Sequence, residues 1–334
     1  MKIFITGIAG FLGGHVAENL LAAGHEVSGC DNLIGGYLDN VPEDADFYQV
    51  DAIYLNQMKK LTKGSDIVIH TACTAYEGLS VFSPYLVGQN TYQISMSVFT
   101  AVADNKIPKL INCSSMARYG EQETVPFTED MVPKPQDPYG IAKLASEESL
   151  KVMSEVHDFE FVNLVPHNII GPKQKYDDPY RNVVSIFLNR MLQGKPPIIY
   201  GDGEQKRCFS YIDDCLDCMI PMLDQENLNK QIINIGPDEE FVTINEVVEI
   251  CANISGSNLD PIYKKDRPRE VKHATCSSNK ARELLKYKTK INLKEGILRT
   301  CDYIKKRGVR EFDYRLSIEI DNNLTPETWK KKEI

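Results

Sequence analysis

The sequence predicts an α/β protein: a doubly wound parallel sheet with a smaller α/β domain attached. Three observations carry that prediction. Apolar, strand-like runs alternate with helical patterns through the first half of the chain, the signature of a parallel sheet wrapped by helices. A glycine-rich turn follows the first run directly. From about Pro166 the texture changes to proline-rich loops, KQKYDDPYRN and KPPIIYGDGEQKR, of the kind that close over a ligand.

Taken in order, KIFIT reads as the first strand and the stretch from His15 to Ala23 as a helix. HEVSGCD and DFYQVD read as strands, Leu55 to Leu61 as a helix, and DIVIHTA as a strand. A long helix is expected from about Asn90 to Asn105, then the strand KLINCSS, a second long helix after Asp137, and the strand FEFVNLV. QIINIG looks like one more buried strand of the first domain, so the two domains share chain. The expected organisation is a first domain over 1–165 with a return segment at about 205–238. The second domain takes 166–204 and 239–312, and 313–334 form a tail. In that tail, FDYRLSIEI alternates apolar Phe312, Tyr314, Leu316, Ile318 and Ile320 with polar residues, a half-buried strand pattern. The final dozen residues, with the single tryptophan, Trp329, read as either a docked arm or a mobile end.

Composition narrows the function. With 42% hydrophobic and 25% charged residues, the 334-residue chain is ordinary globular material with room for a large core. A net charge of -9 argues against a general partner in nucleic acid or anionic membrane, and points to a small molecule. No signal peptide and no membrane span is read from the sequence. Nine scattered cysteines form no disulfide framework, which is read as a reducing cytoplasm. Cys215 and Cys218 form a lone C-x-x-C in an apolar helical run, better read as core than as zinc ligands. No histidine spacing suggests a metal, so none is expected.

The glycine turn TGIAGFLGGH sets Gly7, Gly10 and Gly13 where a strand must turn sharply into a helix. Missing side chains let backbone approach a pyrophosphate, and the helix N-terminus offers N–H donors and partial positive charge. About twenty residues on, the second strand ends in Asp31, placed for the ribose hydroxyls of an adenosine. This is a Rossmann-type pattern, and an acid with no arginine beside it favours NAD over NADP. Further on, in DPYGIAK, Asp137 can cap a helix and Pro138 suits its first turn, while Tyr139 and Lys143 fall on one face at i and i+4. A phenol with a pKa of about 10 is a poor base at neutral pH, and a fixed cation nearby is expected to lower that value. The strand KLINCSS ends in Ser114 and Ser115, whose hydroxyls would point into the crevice at the strand's carboxyl end. A Ser–Tyr–Lys triad is therefore expected.

With these residues in view, the chain resembles the extended short-chain dehydrogenase/reductases, specifically the nucleotide-sugar epimerases and dehydratases, to about residue 310. The resemblance rests on T-G-x-x-G-F-x-G at Thr6 to Gly13, Asp51 in QVDA, Asn90, SSMARYG, and Tyr139 with Lys143. It implies NAD held by Gly7, Gly10, Phe11, Leu12, Asp31, Asn32, Asp51, Ala52, Thr71, Ala72, Asn90, Tyr139, Lys143 and Pro166. It implies Ser115 as the catalytic serine, Tyr139 as the acid/base, and Lys143 as the residue that tunes Tyr139 and holds the nicotinamide ribose. On the nucleotide-sugar side it implies Arg207 and Arg267 toward the diphosphate, Tyr200 and Phe209 packing near the base, and Asn168, Asn182 and Val183 on the substrate. Two guanidiniums suit a diphosphate because their planar forks donate in pairs. A homodimer through the two long helices is expected on the same ground.

Epimerisation at C4 through a 4-keto sugar is the reaction expected, on a UDP-sugar such as UDP-GlcNAc/GalNAc or a uronic acid. The dehydratases carry Asp-Glu after the catalytic hydroxyl, where this chain has Met116 and Ala117. Ala274 falls where hexose-restricted epimerases carry a bulky tyrosine, which leaves room for a larger substituent. A dehydratase, reductase or decarboxylase using the same triad remains the alternative, followed by a silent NAD or nucleotide-sugar binding protein. The departures from the family cluster around the sugar: the YEGL loop after Ala75, Arg118, His167 (a candidate extra acid), Cys208 and Arg269.

Overall fold

The computed structural model describes residues 1–225 and 227–334. Seven parallel strands form its central sheet: β1 (Lys2–Thr6), β2 (Glu26–Cys30), β3 (Asp46–Tyr48), β4 (Ile67–His70), β5 (Lys109–Cys113), β6 (Glu160–Pro166) and β7 (Gln231–Ile235). Their spatial order is β7-β6-β5-β4-β1-β2-β3, so the order reverses between β1 and β4, where an open α/β sheet has its ligand crevice. The central strands are apolar throughout because helices cover both faces: Ile3, Phe4 and Ile5 are at most 1% exposed. QIINIG is β7, paired with β6 from Gln231 opposite Val162 to Ile235 opposite Pro166.

Helix α1 (Phe11–Ala22) begins one turn earlier than hydrophobic periodicity alone implied, because the glycines at its start adopt helical backbone without an apolar pattern to announce it. Helix α2 (Leu55–Leu61) follows β3. The long helix expected from Asn90 to Asn105 is present and begins earlier: helical backbone starts at Pro84–Gly88 and passes through a π-turn at Gln89–Gln93 into α3 (Ile94–Asp104). Helix α4 (Pro138–His157) starts as its sequence directs, with Asp137 Oδ1 accepting from the Gly140 N–H at 2.9 Å and Pro138 in the first turn.

Beyond β6 the chain builds α5 (Val183–Leu192), α6 (Ile212–Met219), α7 (Ile244–Ser255) and α8 (Leu293–Arg307). Cys215 and Cys218 lie in α6, buried against the α1 side of the sheet as free thiols. Helices α5, α7 and α8 share a second core around Phe187, Val247 and Ile297. Among the described residues, no helix is long and apolar enough to cross a membrane.

The tail departs from the strand expected over FDYRLSIEI: residues 312–320 form no ladder. The alternation is real as burial, with Phe312 9% exposed, but the backbone spends its hydrogen bonds singly, Asp313 N–H on the Asp177 carbonyl and Ile320 N–H on the Phe82 carbonyl. Trp329, in the turn Glu327–Lys330, is docked and 2% exposed.

Candidate active site

One cleft, about 390 Å³ in volume, runs across the carboxyl ends of β1, β2, β4, β5 and β6 and into the second region. All the residues the sequence nominated for NAD, catalysis and substrate line it.

At one end is the glycine cradle. Gly7 has φ +77°, and a Cβ there would lie 2.9 Å from the Ala72 nitrogen; at Gly13 a Cβ would lie 2.1 Å from the Gly7 carbonyl oxygen. Only glycine permits so tight a turn. Helix α1 has no side-chain cap, so its first N–H groups face the cleft, free for an anion. Asp31, 9% exposed, accepts from the Ala9 and Leu33 N–H groups, and burial raises its carboxyl above the usual range. Asn32 donates to Asp51 at 2.9 Å, joining two more nominated residues. Thr71 and Ala72 are pinned to Thr6, and the Asn90 carbonyl accepts from Thr74 N–H. This donor set and glycine cradle fit an adenine dinucleotide.

Tyr139 and Lys143 sit on the inner face of α4, 4% exposed each, with the ammonium 5.9 Å from the phenol ring centre. Burial pushes Tyr139 well above its ordinary value, and the opposing influence comes first from its hydrogen bond with Ser115. Lys143 donates to the Cys113 carbonyl at 2.7 Å. Of the two serines at the end of β5, Ser114 is bonded to Glu147, which leaves Ser115 for Tyr139.

At the other end, Arg207 and Arg267 both point into the cleft. They share Glu270, which the sequence did not single out: it accepts twice from Arg267, at 2.9 Å each, and lies 3.7 Å from Arg207. Arg267 also stacks 4.9 Å over the Tyr200 ring. Asn168 donates to the Cys208 carbonyl, and Asn182 caps α5 with Val183 as its first residue. Phe209 is packed in the second core and touches the cleft with one face. A smaller chamber of about 70 Å³ adjoins this end, with Met116, Ala117 and Ala274 among its walls. Ala274 is opposite Arg207 in a parallel strand pair.

The departures resolve differently. His167 is fully buried, its Nδ1 3.3 Å from the Pro237 carbonyl, and burial lowers its pKa to about 4. It is neutral at pH 7, which removes it as an acid. Arg118 pairs with Glu147 at 2.9 Å, both side chains buried. Cys208 Sγ is 3.0 Å from Thr275 Oγ1. Arg269 holds φ +63°, a left-handed backbone that a side chain rarely adopts. Sequence reading missed four charged cleft residues, Glu77, Lys175, Arg181 and Glu270. Glu77 had one signal, the unfamiliar YEGL loop; Lys175 and Arg181 lay in the ligand-closing loop KQKYDDPYRN without being singled out, and Glu270 had no signal.

Residues 3–236 match the model of the NAD dependent epimerase/dehydratase family. Over 307 residues the chain is 33% identical to a putative UDP-glucose 4-epimerase of Methanocaldococcus jannaschii, covering 91% of this chain and 98% of that one. It superposes on the crystal structure of a UDP-glucose 4-epimerase with UDP-glucose from Thermotoga maritima with a TM-score of 0.87, at 30% identity, over 92% of this chain and 99% of that one. A UDP-N-acetylglucosamine 4-epimerase from Methanobrevibacter ruminantium, in complex with UDP-N-acetylmuramic acid, matches with a TM-score of 0.85 at 29% identity, over 92% and 99% of the two chains.

Proposed function

This chain belongs to the NAD dependent epimerase/dehydratase family, and from that premise we propose that it is a 4-epimerase of a UDP-sugar whose hexose carries a group larger than a hydroxyl, such as N-acetyl or a carboxylate. The observation that carries the reading is the small chamber between the Met116–Ala117 turn and the arginines Arg207 and Arg267, with Ala274 in its wall, where a bulky side chain at 274 would fill space that a larger sugar substituent can use.

Bound in the glycine cradle, NAD would supply reversible hydride acceptance at C4 of the sugar. In this reading the glycine cradle and Asp31 hold the dinucleotide, and Lys143 holds its nicotinamide ribose. Tyr139 takes the proton of the sugar 4-hydroxyl, and Ser115 hydrogen-bonds the same oxygen as it becomes a carbonyl. The 4-keto sugar presents its other face, Tyr139 returns the proton, and the inverted alcohol leaves. Arg207 and Arg267 exchange Glu270 for the diphosphate, which fixes one end while the ring turns. Met116 and Ala117 offer no second acid/base pair, so water is not eliminated.

Two copies are proposed to pair through α3 and α4. Ile141, Val152 and Val156 form an exposed apolar stripe on α4, 54%, 61% and 70% exposed, with Tyr92 beside it.

The test is incubation of the purified holoenzyme with UDP-, GDP-, CDP- and dTDP-sugars, with products separated and identified by NMR. A C4 epimer of unchanged mass from an N-acetylated or acidic UDP-sugar is expected, and Tyr139→Phe should stop conversion by about 10³-fold while NAD stays bound. Loss of water or carbon dioxide would replace the epimerase reading with the dehydratase or decarboxylase one.

A further inference from the structure

The resemblance to the family ends near residue 310, and the segment beyond it does not run off the surface. It crosses two parts of the proposed substrate site. Its first stretch fastens the segment 76–86, whose Tyr76, Glu77 and Gly78 line the cleft. The Ser83 hydroxyl donates to the Ser317 carbonyl at 2.9 Å, and the Glu319 and Ile320 N–H groups donate to the Phe82 carbonyl. The Glu319 carboxylate accepts from the Tyr85 and Leu86 N–H groups, at 2.9 Å each, capping the short helix Pro84–Gly88 that the chain leaves without a cap of its own.

The second stretch packs on the nucleotide end. Trp329 lies edge-on to Tyr180, Phe82 and Tyr200, with ring centres 5.3, 6.1 and 6.3 Å away. Thr328 shares a hydrogen bond with the Tyr200 hydroxyl, and Arg190 reaches the Glu333 carbonyl at 3.0 Å. Tyr200 in turn carries Arg267 on its face. A Cβ on Gly78 would lie 3.3 Å from Arg267 and 3.4 Å from Trp329, so the cleft segment, the arginine and the indole meet at one point. Ile334 lines the cleft itself.

We propose that residues 312–334 are a clasp that completes the nucleotide-sugar site, in which Trp329 is a positioning residue that sets Tyr200, Arg267 and the 76–82 segment for substrate. The proposal rests on the nucleotide-sugar reading above. Packing of large aromatic edges supplies the fixing force, since such contacts add to burial and hold geometry. Among the described residues, Trp329 makes no hydrogen bond or ring contact with the nominated NAD, serine or lysine residues, and the clasp reaches the NAD side through Arg315, which donates to the Leu33 carbonyl at 3.2 Å; the effect of Trp329 therefore falls on substrate affinity.

The test compares Trp329→Ala, Trp329→Phe and wild type as holoenzymes, in turnover and in UDP binding by calorimetry. Trp329→Ala is expected to raise KM and the Kd for UDP at least tenfold and to lower kcat at most threefold, with bound NAD unchanged. Trp329→Phe, which keeps an aromatic edge, should recover affinity to within threefold of wild type. Unchanged affinity in Trp329→Ala overturns the clasp. So does a joint loss of NAD, kcat and affinity that phenylalanine does not rescue, because the tail would then hold the fold rather than the site. A wild type that binds UDP but epimerises nothing overturns the 4-epimerase reading alone, and the UDP affinities still decide the clasp. A wild type that binds none of UDP, GDP, CDP and dTDP overturns both.

Discussion

At the scale of single residues, Glu77 has the most consequence for chemistry. It lines the cleft with no side-chain hydrogen bond among the described residues and stands exposed to the open cleft; desolvation by the cleft walls, followed by the nearby Asp137, raises its carboxyl toward about 7, an upper bound for a side chain so open to water. Below that pH it is a neutral acid, and above it a carboxylate that repels a diphosphate held by Arg207 and Arg267. KM for the nucleotide sugar should therefore rise several-fold and level off as pH climbs from 6 to 8.5 and Glu77 ionises, whereas Glu77→Gln should show no such rise. Steady-state KM from pH 6 to 8.5 checks this, and parallel profiles for the two proteins would refute it. Residue types and spacings alone nominated Gly7, Gly10, Asp31, Tyr139 and Lys143, because each is tied to its function by a local backbone requirement. Glu270 escaped notice because its partners, Arg207 and Arg267, are brought together only by folding.

At the scale of elements, α4 bears on both the site and stability. Tyr139, Lys143 and Glu147 follow at four-residue intervals on its buried face, and Glu147 ties the helix to the turn Met116–Arg118 through Ser114 and Arg118. Burial raises the Glu147 carboxyl despite the arginine, so desolvation outweighs the ion-pair attraction. Breaking the pair leaves a buried charge unpaired. Glu147→Gln should cost about 3 kcal/mol or more in urea unfolding, and replacing Arg118 and Glu147 together with apolar residues should recover much of that loss. Equal destabilisation by the single and double variants would contradict this account. Elements were legible where the pattern was continuous, as in the strands and in α4 with its Asp137 cap. They were not where glycines opened α1, where the helix leading into α3 starts early at Pro84 and carries a π-turn, or where a strand-like alternation in the tail had no partner strand.

For the molecule as a whole, the exposed stripe of Ile141, Val152 and Val156 on α4 is the surface on which the proposed pairing of two copies rests. Sedimentation should give twice the chain mass of 37.7 kDa, and Val152→Arg should shift it to the monomer; a wild-type monomer would refute the pairing. The sequence by itself determined the order of strands and helices, the glycine cradle, and the Tyr–Lys pair, since each is written in neighbours a few residues apart and follows from backbone sterics and hydrophobic period. Only the tertiary structure decided that Lys143 bonds a carbonyl, that His167 is neutral, that Glu270 occupies both arginines, and that the tail closes on the cleft. Those outcomes depend on burial and on charges brought close from distant parts of the chain, and neither distance nor burial is a property of sequence spacing.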